Sequence, residues 1–107
     1  MDHKSIEEYL LSKPDSILDY PFGKGVAVYK TNSKMFALIA EGSSPVRISL
    51  KCDPKLSEVL REKYESVMPG YHLNKKHWNT VILSGQLPWD DIKGLIDLSY
   101  NLVNKTK

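Results

Sequence analysis

The chain has 107 residues and a mass of 12.2 kDa, so we expect a single domain spanning residues 1–107. Its 41% hydrophobic and 26% charged residues are typical of a globular protein and exclude disordered and collagen-like classes. The single cysteine, Cys52, excludes an intrachain disulfide and a cysteine-based zinc site. A polar N-terminus and the absence of long apolar runs predict a cytoplasmic protein without membrane association.

Charge is distributed unevenly along the sequence, although the formal net charge is only +2. Residues 20–52 and 66–89 together carry seven bases and one acid, whereas the rest of the chain carries eight bases and twelve acids. No Asp or Glu occurs between Ser66 and Trp89. This segregation predicts a positive surface and a negative surface on the folded chain.

The first half of the chain begins with a predicted short helix over residues 5–11, where Ile6, Tyr9 and Leu10 have helical spacing. This helix ends before Pro14, because a residue that precedes proline disfavours helical geometry. A loop rich in turn-forming residues follows. Three strands are then predicted over residues 26–30, 34–40 and 46–51, separated by turns at 31–33 and 41–45.

The second half contains two predicted helices and one strand. Asp53 is a good N-cap, and Pro54 suits the first position of a helix that ends near Val67. The apolar side of this helix is predicted to comprise Leu56, Val59, Leu60, Lys63 and Tyr64. A strand is predicted over residues 78–83, and a last helix extends from about Pro88 to Val103. Gly94 inside it costs on the order of 1 kcal/mol relative to Ala, so we expect this turn to lie close against a neighbour.

The element order α-β-β-β-α-β-α predicts an α+β fold, a two-layer sandwich with an antiparallel sheet and helices on one face. The third strand alternates clearly: Val46, Ile48 and Leu50 point to one side, and Arg47, Ser49 and Lys51 point to the other. We therefore expect the sheet face opposite the helices to be open, solvated and positive.

The richest cluster of polar and aromatic side chains lies in residues 71–80. Lys75 and Lys76 suit phosphates, Asn74 and Asn79 can donate to phosphates or base edges, and Trp78 and Tyr71 could stack on bases. A solvated turn before an edge strand has the same composition, and aromatic residues near strand ends usually pack in the core. Both interpretations are compatible with the pattern.

Metal and catalytic sites are not indicated by the sequence. His72 and His77 are five residues apart, which suits neither one helix face nor one strand face, and no carboxylate lies between Glu65 and Asp90. Cys52 stands at a helix N-terminus, where a thiol pKa can be lowered, but a buried structural cysteine fits the position better. We expect no metal, no cofactor and no catalytic residues, and hence no enzyme.

Several motifs resemble the MmcQ/YjbR family of small bacterial proteins in order and spacing. They are residues 19–23, 34–38, 50–54, 69–80, 87–88 and 97–103, among which the run from Pro69 to Thr80 is the most specific. The resemblance covers nearly the whole chain. It implies a compact sandwich similar to frataxin-like and secretion-chaperone-like folds, and a DNA-binding role described as a "double wing".

These observations lead to a hypothesis of a non-enzymatic DNA-binding protein. Lys75 and Lys76 are its predicted phosphate contacts, and Asn74, His77 and Asn79 are predicted to orient the DNA backbone or reach a groove edge. The remaining predicted contacts extend the positive surface, namely Arg47, Lys51, Lys34 and Lys30. The alternative is a protein-interaction or chaperone-like module that uses the open sheet face or a sheet edge. Of the oligomeric states, we favour a monomer.

Overall fold

The computed structural model describes residues 3–70 and 73–104. Its elements in chain order are α1 (His3–Leu11), β1 (Ile17–Asp19), β2 (Val26–Thr31), β3 (Lys34–Ala40), β4 (Arg47–Lys51), α2 (Pro54–Lys63), β5 (Val67–Pro69), β6 (Trp78–Ile82) and α3 (Trp89–Val103). Within this described part, none of the helices combines the length and the apolar character needed to cross a bilayer.

The six strands form one antiparallel sheet in the order β1-β2-β3-β4-β6-β5. The helices cover one face of this sheet, and α3 lies across β3 and β4 near its centre. This arrangement confirms the predicted α+β two-layer sandwich. The three predicted helices and four predicted strands are all present, with ends that differ from the predicted bounds by a few residues.

Two strands, β1 and β5, were not predicted from the sequence. Each has three residues and lies at an edge of the sheet. Strands this short show little periodicity, and Pro69 in β5 argues against a strand except at an edge. Short edges that contain proline also resist pairing with another chain.

The main core lies between the sheet and the helices. Ile48 and Leu50 point into it as predicted, together with Ile92 and Ile96 of α3. The buried hydroxyl of Ser99 accepts a hydrogen bond from Lys51 N at 2.8 Å and donates one to the Phe36 carbonyl oxygen at 2.5 Å. Ser99 therefore joins α3 to the ends of two central strands, where it satisfies backbone groups that would otherwise be unpaired.

The opposite face of the sheet is not the open, solvated surface that was predicted. Val28, Leu38 and Trp78 are buried there in a second apolar cluster, against which Val26, Met35 and Leu73 pack. Leu73 belongs to the connection that precedes β6, so this connection contributes to the covering of the face. Strand alternation identified the side chains that share this face, but a covering loop leaves no periodic signal.

The helix α2 is rotated relative to the predicted orientation. Val59 and Lys63 are exposed, whereas Ser57 is buried and Arg61 is half-buried. Residues 57, 60, 61 and 64 have the same helical spacing as the side that was predicted to be apolar. They include a serine and an arginine, so the sequence pattern does not identify them as a buried side. Asp53 caps the helix as predicted, and its Oδ2 accepts hydrogen bonds from Lys55 N and Leu56 N.

Candidate nucleic-acid interface

A tight turn over residues 74–77, hereafter the basic turn, connects to the start of β6. The carbonyl oxygen of Asn74 accepts hydrogen bonds from His77 N at 3.2 Å and Trp78 N at 3.0 Å. Its side-chain Oδ1 accepts another from Lys76 N at 2.9 Å. An asparagine that closes a turn in this way is common in proteins. As a result, the side chains of Lys75, Lys76 and His77 are exposed to solvent.

Arg61 of α2 holds the basic turn in place. Its Nε donates to Asn79 Oδ1 at 2.8 Å, and its Nη2 donates to the carbonyl oxygens of Trp78, at 3.2 Å, and Lys75. A guanidinium is planar and rigid, so three acceptors bound to it are fixed relative to one another. The sequence did not identify Arg61 as part of the site, because it was assigned to neither the apolar side of the helix nor the basic cluster.

Two further contacts tie the turn to the sheet. Cys52 N donates to the carbonyl oxygen of His77 at 2.8 Å, just after β4 ends. Gly70 N donates to the carbonyl oxygen of Trp78 at 2.9 Å. A Cβ at position 70 would lie 2.7 Å from Trp78 Cβ and 3.2 Å from Leu73 Cβ, so this close approach requires glycine. The basic turn is therefore fixed from both sides.

Two other predicted cations lie at the same end of the sheet as the basic turn. Lys51 is the register partner of Trp78, the first residue after the turn. Lys34 begins β3 at the hairpin with β2, and this hairpin lies at the same end because the strands alternate in direction. With about 5 Å between neighbouring strands, the start of β3 lies about 10 Å across the sheet from the start of β6. These positions form one basic end of the sheet.

The remaining predicted cations do not extend this surface. Arg47 is exposed but begins β4, so it lies four residues, or about 13 Å, from Lys51 towards the opposite end. Lys30 lies near the same hairpin as Lys34, since it pairs with Met35, but it forms an ion pair with Asp19, with Nζ at 3.3 Å from Oδ2. The carboxylate therefore neutralises much of its charge. The continuous positive sheet face predicted from the sequence is replaced by a local basic end.

Two predicted DNA contacts are buried. Asn79 is only 3% exposed and points towards α2, where its Oδ1 is bound to Arg61. Trp78 is 7% exposed and belongs to the second apolar cluster, which leaves its ring unavailable for stacking on bases. Tyr71, the other predicted stacking residue, and His72 lie outside the described residues. Asn79 and Trp78 thus contribute to the packing that holds the basic turn and are not part of its exposed surface.

The basic end contains few acidic side chains. Within residues 3–70 and 73–104, Lys75, Lys76, Lys51 and Lys34 form no ion pair. Asp53 is the nearest acid along the chain to Lys51, and its carboxylate is engaged in capping α2. Unpaired cations beside few acids maintain a positive potential that attracts anions.

Two alternatives considered from the sequence, a reactive thiol and a metal site, concern residues near the basic turn. Burial raises the pKa of the Cys52 thiol, so the lowered pKa considered from its helix-terminal position is wrong. No group of three or more His, Cys, Asp or Glu side chains in the described part of the chain is arranged to hold a metal ion.

Comparisons with known proteins identify the family. The YjbR family pattern matches residues 11–102. The uncharacterized protein YjbR of Escherichia coli K12 is 37% identical over 93 residues, which is 87% of this chain and 79% of that protein. The crystal structure of Deinococcus radiodurans protein DR2400, with domain DUF419, has a TM-score of 0.93 at 38% identity, covering 98% of this chain and 80% of that one. A Pseudomonas syringae protein has a TM-score of 0.82 at 35% identity, covering 96% and 99%. The chain belongs to the YjbR family, as its motifs predicted.

Proposed function

We propose that this member of the YjbR family binds DNA through its basic end and catalyses no reaction on it. The observation that supports this proposal is the basic turn itself. Three consecutive side chains, Lys75, Lys76 and His77, are exposed on a backbone that Arg61 fixes in position. A fixed backbone reduces the entropy lost when the turn contacts a ligand.

The residues have distinct roles in this proposal. The ammonium groups of Lys75 and Lys76 contact phosphate oxygens, and Lys51 and Lys34 add charge at the same end of the sheet. Asn74 uses its side-chain oxygen within the turn, so its amide N–H groups are the part that can donate to a phosphate. Asn79, Trp78 and Arg61 support the turn without contacting DNA.

The salt dependence of binding measures how many cations contact phosphates. Each neutralised phosphate contributes about −0.9 to the slope of log K against log salt concentration on duplex DNA. Four cations at the basic end predict a slope of about −3.6. Six contacts, the number expected when Arg47 and Lys30 are included, would give a slope of about −5. The slope thus distinguishes a local basic end from a continuous positive face.

The experiment is fluorescence anisotropy with a labelled duplex and a labelled single strand of random sequence, over a series of salt concentrations. The test variant is Lys75→Ala/Lys76→Ala, and the matched control is Lys55→Ala/Lys63→Ala. The control removes two exposed cations from α2 and causes the same change in net charge. We expect the test variant to bind at least about tenfold more weakly than the control, with a slope reduced by about 2.

Two outcomes would contradict the proposal. The first is an absence of duplex binding at low salt. The second is an equal loss of affinity in the test and control variants, which would show that only the net charge matters. The alternative module on an open sheet face receives less support, because Val28 and Leu38 of that face are buried.

A further inference from the structure

A groove separates α2 from α3 on the helical side of the molecule. Its walls are formed by Leu56 and Leu60 of α2, by Tyr64 directly after this helix, and by Leu95 and Leu98 of α3, and its volume is about 480 Å³. We call it the α2–α3 groove. Sites that take small ligands or several side chains of a partner have volumes of this order. The groove lies on the opposite layer from the second apolar cluster and takes no part in the proposed DNA contact.

Gly94 lines this groove, and no contact with the described part of the chain requires a glycine there. A glycine inside a helix costs about 1 kcal/mol relative to alanine, so we expect a compensating close contact. A Cβ built at position 94 meets nothing within 4 Å. The neighbour predicted from the sequence is therefore absent from the described chain. A glycine at such a position allows the backbone of α3 to approach a bound molecule closely.

Exposed apolar side chains continue from the groove along α3. Leu98 is 46% exposed and Leu102 is 41% exposed. They are four residues apart, so they lie on one face of the helix one turn from each other. Adjacent exposed leucines beside an apolar groove are typical of a surface that binds another protein.

The charged residues that line the groove are Asp90 and Asp91. Both are exposed, and Asp90 forms an ion pair with Lys93 of the same helix, with 3.8 Å between Asp90 Oδ1 and Lys93 Nζ. The groove thus combines apolar walls with an acidic end. An occupant complementary to it has apolar side chains on one face and cationic side chains that reach the two carboxylates.

We propose that the α2–α3 groove binds a basic amphipathic helix of a partner protein. The leucines of such a helix would pack between Leu60 and Leu95, its backbone would approach Gly94, and its lysines or arginines would pair with Asp90 and Asp91. Helices commonly bind in this way, with anchors at i, i+3, i+4 and i+7. Leu56 of α2 and Tyr64 at its C-terminal end are eight residues apart, which corresponds to about 12 Å of groove and about two turns of the bound helix.

The test uses two synthetic peptides of 14 residues with leucines at helical spacing, one with lysine and one with glutamate at the polar positions. Binding is measured by anisotropy of the labelled peptides, and the site is located from the backbone amide of Gly94 in ¹H–¹⁵N spectra. We expect the lysine peptide to bind and to shift the Gly94 signal, whereas the glutamate peptide does not bind. Both peptides are tested on the whole chain.

Three variants make the test specific. Gly94→Leu fills the groove and should weaken binding of the lysine peptide at least about tenfold. Asp90→Asn/Asp91→Asn should weaken it about five- to tenfold, and the matched control Glu58→Gln/Glu62→Gln, which removes two exposed acids outside the groove, should not. Gly94→Ala distinguishes a loss of binding from a loss of the fold, because it should raise the melting temperature of the protein and still weaken binding of the lysine peptide.

The proposal would be overturned by an unshifted Gly94 signal, by binding that Gly94→Leu leaves unchanged, or by no binding of the lysine peptide. Sedimentation of the protein alone gives the remaining outcome. A dimer that Gly94→Leu disrupts would also overturn the proposal, because it would show that a second copy of this chain occupies the groove.

Discussion

Arg61 provides a sharp test of how the basic turn is held, because one side chain binds three acceptors. The substitution Arg61→Leu keeps an aliphatic stem and removes the guanidinium. The bond to Asn79 Oδ1 is partly buried, and a hydrogen bond that involves a charged group contributes about 1.5–3 kcal/mol. Water can partly replace the bonds to the carbonyl oxygens of Lys75 and Trp78. We therefore expect a loss of about 2–3 kcal/mol in the free energy of unfolding.

Urea denaturation followed by tryptophan fluorescence measures this loss. With a slope of about 1.5 kcal/mol per molar, the midpoint should fall by about 1.3–2 M urea. The matched control Lys63→Leu removes an exposed cation from the same helix and should leave the midpoint nearly unchanged. Duplex affinity should fall for Arg61→Leu by about three- to tenfold more than for Lys63→Leu, because the turn loses its fixed geometry.

A double-mutant cycle with Asn79→Leu separates the bond between Arg61 and Asn79 from the two bonds to carbonyl oxygens. Once Asn79 is replaced, no buried acceptor remains unpaired, so the double variant should be more stable than the sum of the single losses by at least about 1 kcal/mol. The reasoning is refuted if Arg61→Leu shifts the midpoint by less than about 0.3 M. Purely additive losses would also refute it, because they would show that Arg61 and Asn79 are not coupled.

Two further predictions concern stability. Gly70→Ala should lower the free energy of unfolding by about 1–3 kcal/mol, since the new Cβ would lie 2.7 Å from Trp78 Cβ, whereas Gly94→Ala should raise it by up to about 1 kcal/mol. If the urea midpoints of Gly70→Ala and Gly94→Ala both rise or both fall relative to wild type, this prediction is contradicted. Partial burial acts to raise the pKa of Asp97, but hydrogen bonds from Lys13 and Tyr9 outweigh it and hold the pKa below its ordinary 3.8. The stabilisation is thus complete above pH 3.8 and is lost as the pH falls through the lowered pKa, so the difference in melting temperature between wild type and Asp97→Asn should shrink below pH 3.8. The carboxylate is 43% exposed, which limits the effect to below about 1 kcal/mol, and a difference that stays constant down to pH 2 would contradict it.

The sequence was sufficient to predict the layers of the fold, because its periodic segments are long. The strand over Lys34–Ala40 was predicted with its observed bounds, and the cap at Asp53 was predicted from residue types that suit it. The three-residue strands were missed because β1 and β5 are formed by pairing with a longer neighbour and not by their own pattern. The rotation of α2 was missed because a half-buried arginine cannot be distinguished in the sequence from an exposed one until its hydrogen-bond acceptors are known.

The sequence predicted the exposure of the basic turn more accurately than the extent of the positive surface around it. Lys75, Lys76 and His77 are exposed where the acid-free segment turns, since a run of polar residues bounded by a strand has few other places to lie. Whether each of the other predicted cations adds to this positive surface depends on strand pairing between distant parts of the chain, which the sequence pattern does not show. The register of β4 places Lys51 beside Trp78 and Arg47 at the opposite end, and the pairing of β1 with β2 brings Asp19 to Lys30. Uneven charge along a sequence therefore predicts that a basic region exists, while strand register decides which charges act together.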